Sequence, residues 1–536
     1  MLKEAILWLP STLWAGMSRY TVLFSITLIV LYIIHWVRER RYKHTLFTRL
    51  GIPFVKPHPL FGSMHTLHSG TLATDIMEDW IKEHGKVFGF YIGEKPNVVI
   101  ADLDLIKQVL IKDFHKFSNR PKLPIEAQPV VDTIVGLRDQ RWKDVRSILA
   151  PTFSMMKMKP MTGIMNKRVD EFLQIVSEAS SKNEPLDWYS IFQGLTLDVI
   201  SECALAMKTN CQRDQNNDEL FVAVRGFLKN AMNPAIFLAV YFNAFAKFFS
   251  FISNQLSLSG RMTNMIVSHL KTVIRIRRKD MSKKYIDVLQ LMLDAAEEQN
   301  VSDDFQDEAS DDDPVKQKAT RKQLTDAEII ANAWVFLLGG FETTANSLTS
   351  AAYLLACNPD AQEKLYKELS NVIEDGNQHL SYETVNSLTY LDQVLSETLR
   401  IYPPVVSFIS RDTADDTMLG GYFIPSDTNI VIPLWHIHHN PDLWPDPEMF
   451  DPDRFSSETK ASESRHPMSY IPFGAGPRSC VGIRFAQLEA KLALARLVRC
   501  FKLETCEETA IPMKFEMPTV THIPTKGVML KATPRQ

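Results

Sequence analysis

The chain has 536 residues, a formal net charge of −4, and 45% hydrophobic against 23% charged residues. This balance is typical of a globular protein and excludes a nucleic-acid binder, which would carry a strong basic excess. Its six cysteines are scattered, without a CxxC pair or zinc-ligand spacing, so the sequence indicates a reducing compartment and not a disulfide scaffold.

An apolar run near the N-terminus, TVLFSITLIVLYIIHWV from Thr21 to Val37, predicts a transmembrane anchor. As a helix it would rise about 26 Å, close to the thickness of a hydrocarbon core. The basic RERRYK follows, so the positive-inside rule places residues 1–20 in the lumen and the rest of the chain in the cytosol. A cleaved signal peptide is the alternative, but no small-residue cleavage site follows the run.

The remainder divides into a short connector and one large domain. Residues 38–60 are basic and rich in proline, and prolines 53, 57 and 59 exclude a helix there. Residues 61–536 show long helical patterns and two short strand signals, VFGFYI and NVVIAD, so we expect a mainly α fold with small β-sheets. The acidic stretch Ser302–Pro314 predicts an exposed loop between helices.

The segment after this loop predicts a long buried helix over residues 326–357. Thr325 and Glu328 have capping-box spacing, and Asn358-Pro359 ends the pattern. In its middle, GGFETT contains two glycines that each cost about 1 kcal/mol relative to alanine. One interpretation is close helix packing, with Glu342 in a salt bridge. The other is a widened turn that admits a small ligand beside a proton-carrying pair, Glu342 and Thr343.

Three further fragments have charged or aromatic residues at helical spacing. Glu397 and Arg400 in ETLR lie three residues apart and can form an ion pair, and Arg454 in FDPDRF is a candidate third member. Trp142 and Arg146 lie four residues apart in RWKDVRSILAPTF, where an exposed amphipathic helix is the alternative.

The sequence FGAGPRSCVGIRF, Phe473–Phe485, places Cys480 in a turn of glycines, proline and arginine just before a helical pattern. This loop follows the fragments FSNRP, GGFETT and ETLR in the chain. Together, and in this order, these motifs resemble those of the cytochrome P450 family, the haem-thiolate monooxygenases. It matches the family's FxxGxRxCxG pattern at every fixed position. The resemblance covers nearly the whole chain, and the anchor and the stretches RSILAPTF and DVLQLMLDA are most similar to the animal microsomal branch.

The resemblance implies haem b (iron protoporphyrin IX) as cofactor, with Cys480 as the thiolate ligand of the iron. It also implies cofactor contacts by Phe473 and Gly340 and by partners of the haem propionates. These partners are Trp142, Arg146, Arg411, Arg478 and Arg120. Glu397, Arg400 and Arg454 would form a structural ion-pair group behind the cysteine loop. Glu342 and Thr343 would be catalytic and would deliver protons on the distal side.

The implied reaction is insertion of one atom of dioxygen into a lipophilic substrate. Electrons would come from an NADPH-dependent flavoprotein reductase, with cytochrome b5 as a second candidate donor, at the endoplasmic reticulum membrane. A haem-thiolate isomerase or dehydratase acting on a peroxide is one alternative, although the Glu342–Thr343 pair argues against it. A non-catalytic haem-binding membrane protein is the other.

Two further predictions concern the surface of the protein. The aromatic stretch Asn233–Ile252 is either a core helix or a roof over the pocket that touches the membrane. A cationic docking patch for the reductase is expected near the cysteine. Its candidates are Arg138, Arg141, Lys143, Lys491, Arg496 and Arg499.

Overall fold

The computed structural model describes residues 19–67, 71–122, 127–279, 285, 287–303, 323–373, 379–457, 465–518 and 520–535. All but the last two residues of the predicted luminal segment 1–20 lie outside this part. So does the predicted acidic loop beyond Asp303.

Helices form most of the fold, as predicted. In chain order they are α1 (Arg19–Lys43), α2 (Leu46–Leu50), α3 (Met64–Leu67), α4 (Ala73–His84), α5 (Leu103–Lys107), α6 (Asp139–Leu149), α7 (Met155–Ser181), α8 (Trp188–Leu205), α9 (Glu219–Asn230), α10 (Pro234–Tyr241), α11 (Ala246–Leu256), α12 (Leu258–Lys279), α13 (Val288–Asp303), α14 (Asp326–Cys357), α15 (Pro359–Val372), α16 (Tyr382–Ser387), α17 (Thr389–Ile401), α18 (Leu434–His439) and α19 (Ile483–Cys500).

The strands are short and lie at the edges of the helical core. They are β1 (Val87–Ile92), β2 (Lys95–Ile100), β3 (Leu186–Asp187), β4 (Ser410–Asp412), β5 (Thr417–Leu419), β6 (Tyr422–Ile424), β7 (Asn429–Val431), β8 (Phe501–Thr505), β9 (Phe515–Glu516), β10 (Ile523–Pro524) and β11 (Met529–Pro534). The sheets have the orders β1-β2-β7-β4, β3-β11-β8, β5-β6 and β9-β10. β1 and β2 pair antiparallel, with Val87 opposite Ile100.

Helix α14 is the centre of the core. It begins and ends where the sequence predicts, and both hydrogen bonds of the Thr325–Glu328 capping box are present. Most of its faces are buried against α8, α12, α17 and α19, because nearly every side chain on it is apolar or small. This packing fixes the residues of α14 relative to the cysteine loop that precedes α19.

Helix α1 contains the whole predicted anchor and continues to Lys43. Many of its apolar side chains are exposed, Leu23 and Phe24 among them. Its C-terminal part packs on the folded domain. The Trp36 ring stacks on Phe242, and Arg40 Nη1 donates to the Tyr241 carbonyl (2.8 Å).

Among the helices that the structure describes, none alone is both long and apolar enough to qualify as a membrane span. One pair, Glu219–Tyr241 with Asn243–Leu256, qualifies on length and composition, and the two parts are bent by 117°.

Candidate active site

The cysteine loop closes tightly around Cys480. The backbone N–H of Cys480 donates to the Phe473 carbonyl (2.9 Å), which closes the turn. Gly476 has φ +71°, and a Cβ there would lie 2.0 Å from the Leu110 carbonyl oxygen, so the turn requires glycine. Helix α19 begins at Ile483, so the sulfur lies close to a helix N-terminus, where the helix dipole favours negative charge.

The Cys480 side chain lines an internal cavity of about 290 Å³. Burial raises the pKa of the thiol, whereas a hydrogen bond from the Gly482 N–H and the guanidinium groups of Arg146 and Arg120 lower it. These three groups therefore favour the thiolate, which is the form that binds a metal ion.

The other predicted cofactor-binding residues line the same cavity, although they are far apart in the sequence. They are Arg120, Trp142, Arg146, Gly340, Arg411, Phe473 and Arg478. Within this set the Arg478 guanidinium lies 4.0 Å above the centre of the Trp142 ring. Arg146 Nη1 donates to the carbonyl of Ser479, next to the cysteine (2.9 Å). Helix α6 is thereby attached directly to the cysteine loop.

Four guanidinium groups share this cavity, and none of the described residues that line it carries a carboxylate. Burial lowers the pKa of Arg411 to about 10. Burial lowers the pKa of Arg478 to about 9, with further contributions from Arg411, Arg138 and Arg146. A group of buried cations is unfavourable unless anionic acceptors compensate it. The cluster therefore indicates an anionic ligand.

Two donors of the cluster lack an acceptor in the described part of the chain, namely Arg411 Nε and Arg478 Nη1. Other donors of the same side chains are satisfied. Arg411 Nη1 donates to Ser410 O and Arg478 Nε to Ser118 O, both at 2.8 Å. Buried polar groups are normally paired, so these donors fit the two carboxylates of a haem. The site thus fits haem b, since it offers a sulfur ligand and cationic donors in one cavity.

Helix α14 forms another wall of the cavity through Gly339, Gly340 and Thr343. A Cβ on Gly340 would meet the Ile200 side chain at 2.7 Å, so this glycine permits close packing of α8. A Cβ on Gly339 would meet nothing within 4 Å, so this glycine leaves open space. The helix is regular α throughout, and the predicted widened turn is therefore wrong. Thr343 Oγ1 donates to the Gly339 carbonyl (2.6 Å).

Glu342, the neighbour of Thr343, does not line the cavity. Its side chain is buried and directed at α8, where it accepts hydrogen bonds from Tyr189 Oη and Gln193 Nε2 (3.1 Å). Asn346 Nδ2 is a third donor (3.3 Å). Burial raises the pKa of Glu342, although these three donors oppose that shift. The two residues predicted to be catalytic therefore face different surroundings.

The predicted ion-pair group is assembled, and its members Glu397 and Arg400 are fully buried. Arg400 Nε and Nη2 donate to the two Glu397 oxygens at 2.7 and 2.8 Å. Arg454 Nε lies 3.4 Å from Glu397 Oε1. The bidentate pair satisfies both buried charges at once.

His438 is a site residue that the sequence analysis missed. Arg400 Nη1 donates to the His438 carbonyl (2.9 Å), and the Ile471 N–H donates to His438 Nε2 (3.2 Å). Ile471 lies two residues before Phe473, so His438 connects the ion pair to the cysteine loop. A histidine in the run HIHH has no signal of its own in a single sequence, because its partners lie far away along the chain.

The predicted cationic docking patch is largely wrong, because most of its members form internal ion pairs. Arg138 pairs with Asp412 and Arg141 with Glu328, while Lys491 pairs with Asp392 (2.6 Å) and Arg496 with Asp170 (2.5 Å). Lys491 and Arg496 are also buried. Of the candidates on α6, Lys143 is exposed.

The stretch Asn233–Ile252 folds as α10 and the first part of α11. Large apolar side chains on this stretch are exposed, including Phe248 (59%) and Phe251 (62%). The interpretation as a core helix is therefore wrong.

Helical architecture, a cysteine at a helix N-terminus and four arginines in one cavity together fit a haem-thiolate protein. The cytochrome P450 family model matches residues 52–532. The chain is 32% identical to cytochrome P450 3A40 of Oryzias latipes over 529 residues, which is 98% of each chain. It is also 32% identical to cytochrome P450 3A31 of Mesocricetus auratus (96% of each chain) and to cytochrome P450 3A29 of Sus scrofa (97% of this chain, 98% of the relative).

The protein therefore belongs to the cytochrome P450 family, in its animal microsomal branch. It is a haem-thiolate monooxygenase, and its cofactor is haem b. The family uses dioxygen, a lipophilic substrate and a redox partner.

Proposed function

We propose that this protein is a membrane-anchored monooxygenase that inserts one atom of dioxygen into a lipophilic substrate, with electrons from an NADPH-dependent flavoprotein reductase. The main observation behind this proposal is that Cys480 and the four arginines line one cavity. The apolar residues Ile200, Phe336 and Phe408 line the same cavity. Such a cavity offers ligands for haem beside an apolar wall for a lipophilic substrate.

Cys480 would hold the haem iron, and Arg411 and Arg478 would hold its propionates with their unpaired donors, aided by Arg120, Arg146 and Trp142. Phe473 and Gly340 would contact the macrocycle. When bound, haem with a thiolate ligand supplies dioxygen activation, because the thiolate donates electron density that favours O–O cleavage. The protein residues then contribute binding, orientation and proton supply.

Thr343 handles protons at the cavity wall. Its hydroxyl both donates and accepts hydrogen bonds, so it can hold a proton donor in place while it remains bonded to the Gly339 carbonyl. Catalysis by Glu342 stays a prediction, since its carboxyl group must leave Tyr189 and Gln193 to reach the cavity. In its present position Glu342 fixes α14 against α8.

The reductase, or cytochrome b5, approaches from the side of the cysteine loop. Lys143 on α6 and Arg484 in the first turn of α19 are exposed there. Cations on this face would attract an acidic flavin domain and raise the association rate at low salt.

Residues 21–37 anchor the protein in the endoplasmic reticulum membrane, with residues 1–20 in the lumen, residues 38–60 as connector and residues 61–536 on the cytosolic face. The exposed apolar side chains of α1 support this arrangement. The exposed phenylalanines of α11 support a second contact with the lipid, next to α1. A lipophilic substrate would enter from the bilayer along this contact.

Reconstitution tests this function directly. Full-length protein is combined with an NADPH-dependent reductase in lipid vesicles and supplied with ¹⁸O₂ and a panel of steroids, fatty acids and terpenoids. We expect a product that carries one ¹⁸O atom and requires NADPH. A product formed from an organic hydroperoxide without reductase would instead identify an isomerase or dehydratase. Haem binding without any product from the panel would favour a non-catalytic carrier.

A further inference from the structure

One loop of the cavity wall is hydrogen-bonded to a buried side chain of α14. The loop comprises residues 130–137, and its Ile134 and Val135 line the cavity. The Ile134 N–H donates to Asn332 Oδ1 at 2.8 Å. Asn332 Nδ2 donates to the Glu328 carbonyl at 2.7 Å, which fixes the orientation of the amide. Asn332 has no exposed surface and does not itself line the cavity.

Further hydrogen bonds close the turn within the loop, and at its end the Leu137 carbonyl accepts from Arg478 Nη2 (2.9 Å). Thr133 Oγ1 donates to the Val130 carbonyl (2.7 Å) and accepts from the Gly136 N–H (3.1 Å). A Cβ on Gly136 would lie 2.3 Å from the Val130 carbonyl oxygen, so the turn is compact. A compact loop moves as a unit, so its link to α14, together with the Arg478 contact at Leu137, determines the positions of Ile134 and Val135.

We propose that Asn332 is a specificity-determining positioning residue, which holds the loop 130–137 against α14 and so sets how far Ile134 and Val135 extend into the cavity. The inference rests on the haem-binding cavity of the proposed function and adds a residue that controls the shape of its wall. Removal of the amide would leave the buried Ile134 N–H without an acceptor, and the loop would move to satisfy it.

The test uses two iron-binding probes of different size. Imidazole needs only the iron, whereas 4-phenylimidazole also places a ring against the cavity wall. Both are titrated into haem-loaded protein by the shift of haem absorbance. In Asn332→Leu, which keeps the volume but loses the amide, we expect the Kd of 4-phenylimidazole to change about 2- to 10-fold. The Kd of imidazole should stay unchanged.

Two further variants make the result specific. Asn332→Asp can keep an acceptor for Ile134 and, when protonated, a donor for Glu328, so it should restore the wild-type ratio of the two Kd values. Asn166→Leu is the matched control. Asn166 is also a buried helix asparagine, and it bonds the Leu380 N–H and carbonyl (3.1 and 2.9 Å) outside the cavity lining.

Amide hydrogen exchange provides a readout without any probe or turnover. The peptide that covers residues 127–137 should exchange faster in Asn332→Leu and at the wild-type rate in Asn166→Leu. An unchanged ratio of Kd values in Asn332→Leu would overturn the proposal, and so would an equal change in Asn166→Leu. Because neither readout needs oxygen or reductase, these outcomes are independent of whether the monooxygenase reaction is observed.

Discussion

Glu328 and Glu342 lie on the same buried helix, yet the pKa values of their carboxyl groups shift in opposite directions. Burial raises the pKa of Glu328, but hydrogen bonds from Arg141 and Thr325 outweigh burial, and the net shift is downward. Burial also raises the pKa of Glu342, and its neutral donors Tyr189, Gln193 and Asn346 do not reverse that shift. Glu328 accepts a hydrogen bond from a guanidinium and Glu342 only from neutral groups, and this difference explains the opposite pKa shifts.

The two carboxyl groups should give stability opposite pH dependences. The native state binds the Glu342 proton more tightly than the unfolded state does, so its contribution falls as pH rises from 4.5 through the folded pKa. Glu342→Gln mimics the protonated form. The thermal unfolding midpoint of this variant, relative to that of the wild type, should therefore rise with increasing pH. Gln193 can accommodate the change, since its Oε1 has no partner in the described chain.

Glu328→Gln should behave in the opposite sense. The ionised carboxylate of Glu328 stabilises the native state above pH 4.5, and this contribution is lost as pH falls through the lowered folded pKa. The midpoint of wild type should thus exceed that of Glu328→Gln at neutral pH, and the gap should narrow in acid. Thermal unfolding between about pH 4 and pH 7 measures both trends. Parallel curves for the two variants would contradict the assignment.

Thr343→Ala should uncouple electron transfer from product formation. The variant loses the hydroxyl that orders proton delivery at the cavity, while haem binding and electron supply continue. We expect NADPH consumption near the wild-type rate, with more hydrogen peroxide and less product. Thr349→Ala is the control, because its hydroxyl makes the same type of bond to the Ala345 carbonyl (2.7 Å) and does not line the cavity. Equal coupling in both variants would show that Thr343 is only a helix residue.

Glu397→Gln should prevent stable haem incorporation. The substitution leaves the buried Arg400 charge without its carboxylate, which typically costs about 3–5 kcal/mol. The connection through His438 to the cysteine loop would also loosen. Haem absorbance per mole of protein and thermal unfolding measure the effect. Glu178→Gln, in the exposed pair with Arg213, should leave both quantities unchanged. Full haem content in Glu397→Gln would show that the ion pair does not support the loop.

Deletion of residues 1–37 should leave a haem-loaded protein that still binds lipid vesicles in part. The exposed side chains of Phe248 and Phe251 on α11, and of Phe245 just before it, remain after the anchor is removed. Replacement of all three by serine in the truncated protein should abolish co-sedimentation with vesicles. Serine at Met155 and Met156, which are also exposed, should not reduce it. Binding that survives the triple replacement would place the contact elsewhere.

The sequence predicted the long elements well, because their signals are local. Helix α14 has its capping box, its apolar composition and its proline stop within one stretch, and its bounds match the prediction. The pair β1–β2 follows from two β-branched and aromatic runs. The prediction of a widened turn rests on the cost of the glycine pair and of the carboxylate and hydroxyls that follow it in a buried helix. Packing against Ile200 of α8, which no local pattern reveals, offsets that cost at Gly340.

The site was predictable where a motif fixes both residue type and spacing, as in the cysteine loop. Residues whose role depends on distant partners were not. Asn332 and His438 act through backbone groups far away in the sequence. The prediction of the docking patch was largely wrong for the same reason. The sequence around a basic residue on a helix does not show that a carboxylate such as Asp170 or Asp392 lies beside it in the fold.

The central claim is that Cys480 is the thiolate ligand of haem, and the absorbance spectrum of the reduced carbon-monoxide complex tests it most directly. Wild-type protein should absorb at the long-wavelength position of thiolate-ligated haem. Cys480→Ser should lose this band, whereas Cys506→Ser, at a cysteine outside the cavity lining, should keep it. A wild-type spectrum like that of a histidine-ligated globin, or a thiolate band that persists in Cys480→Ser, would contradict the account.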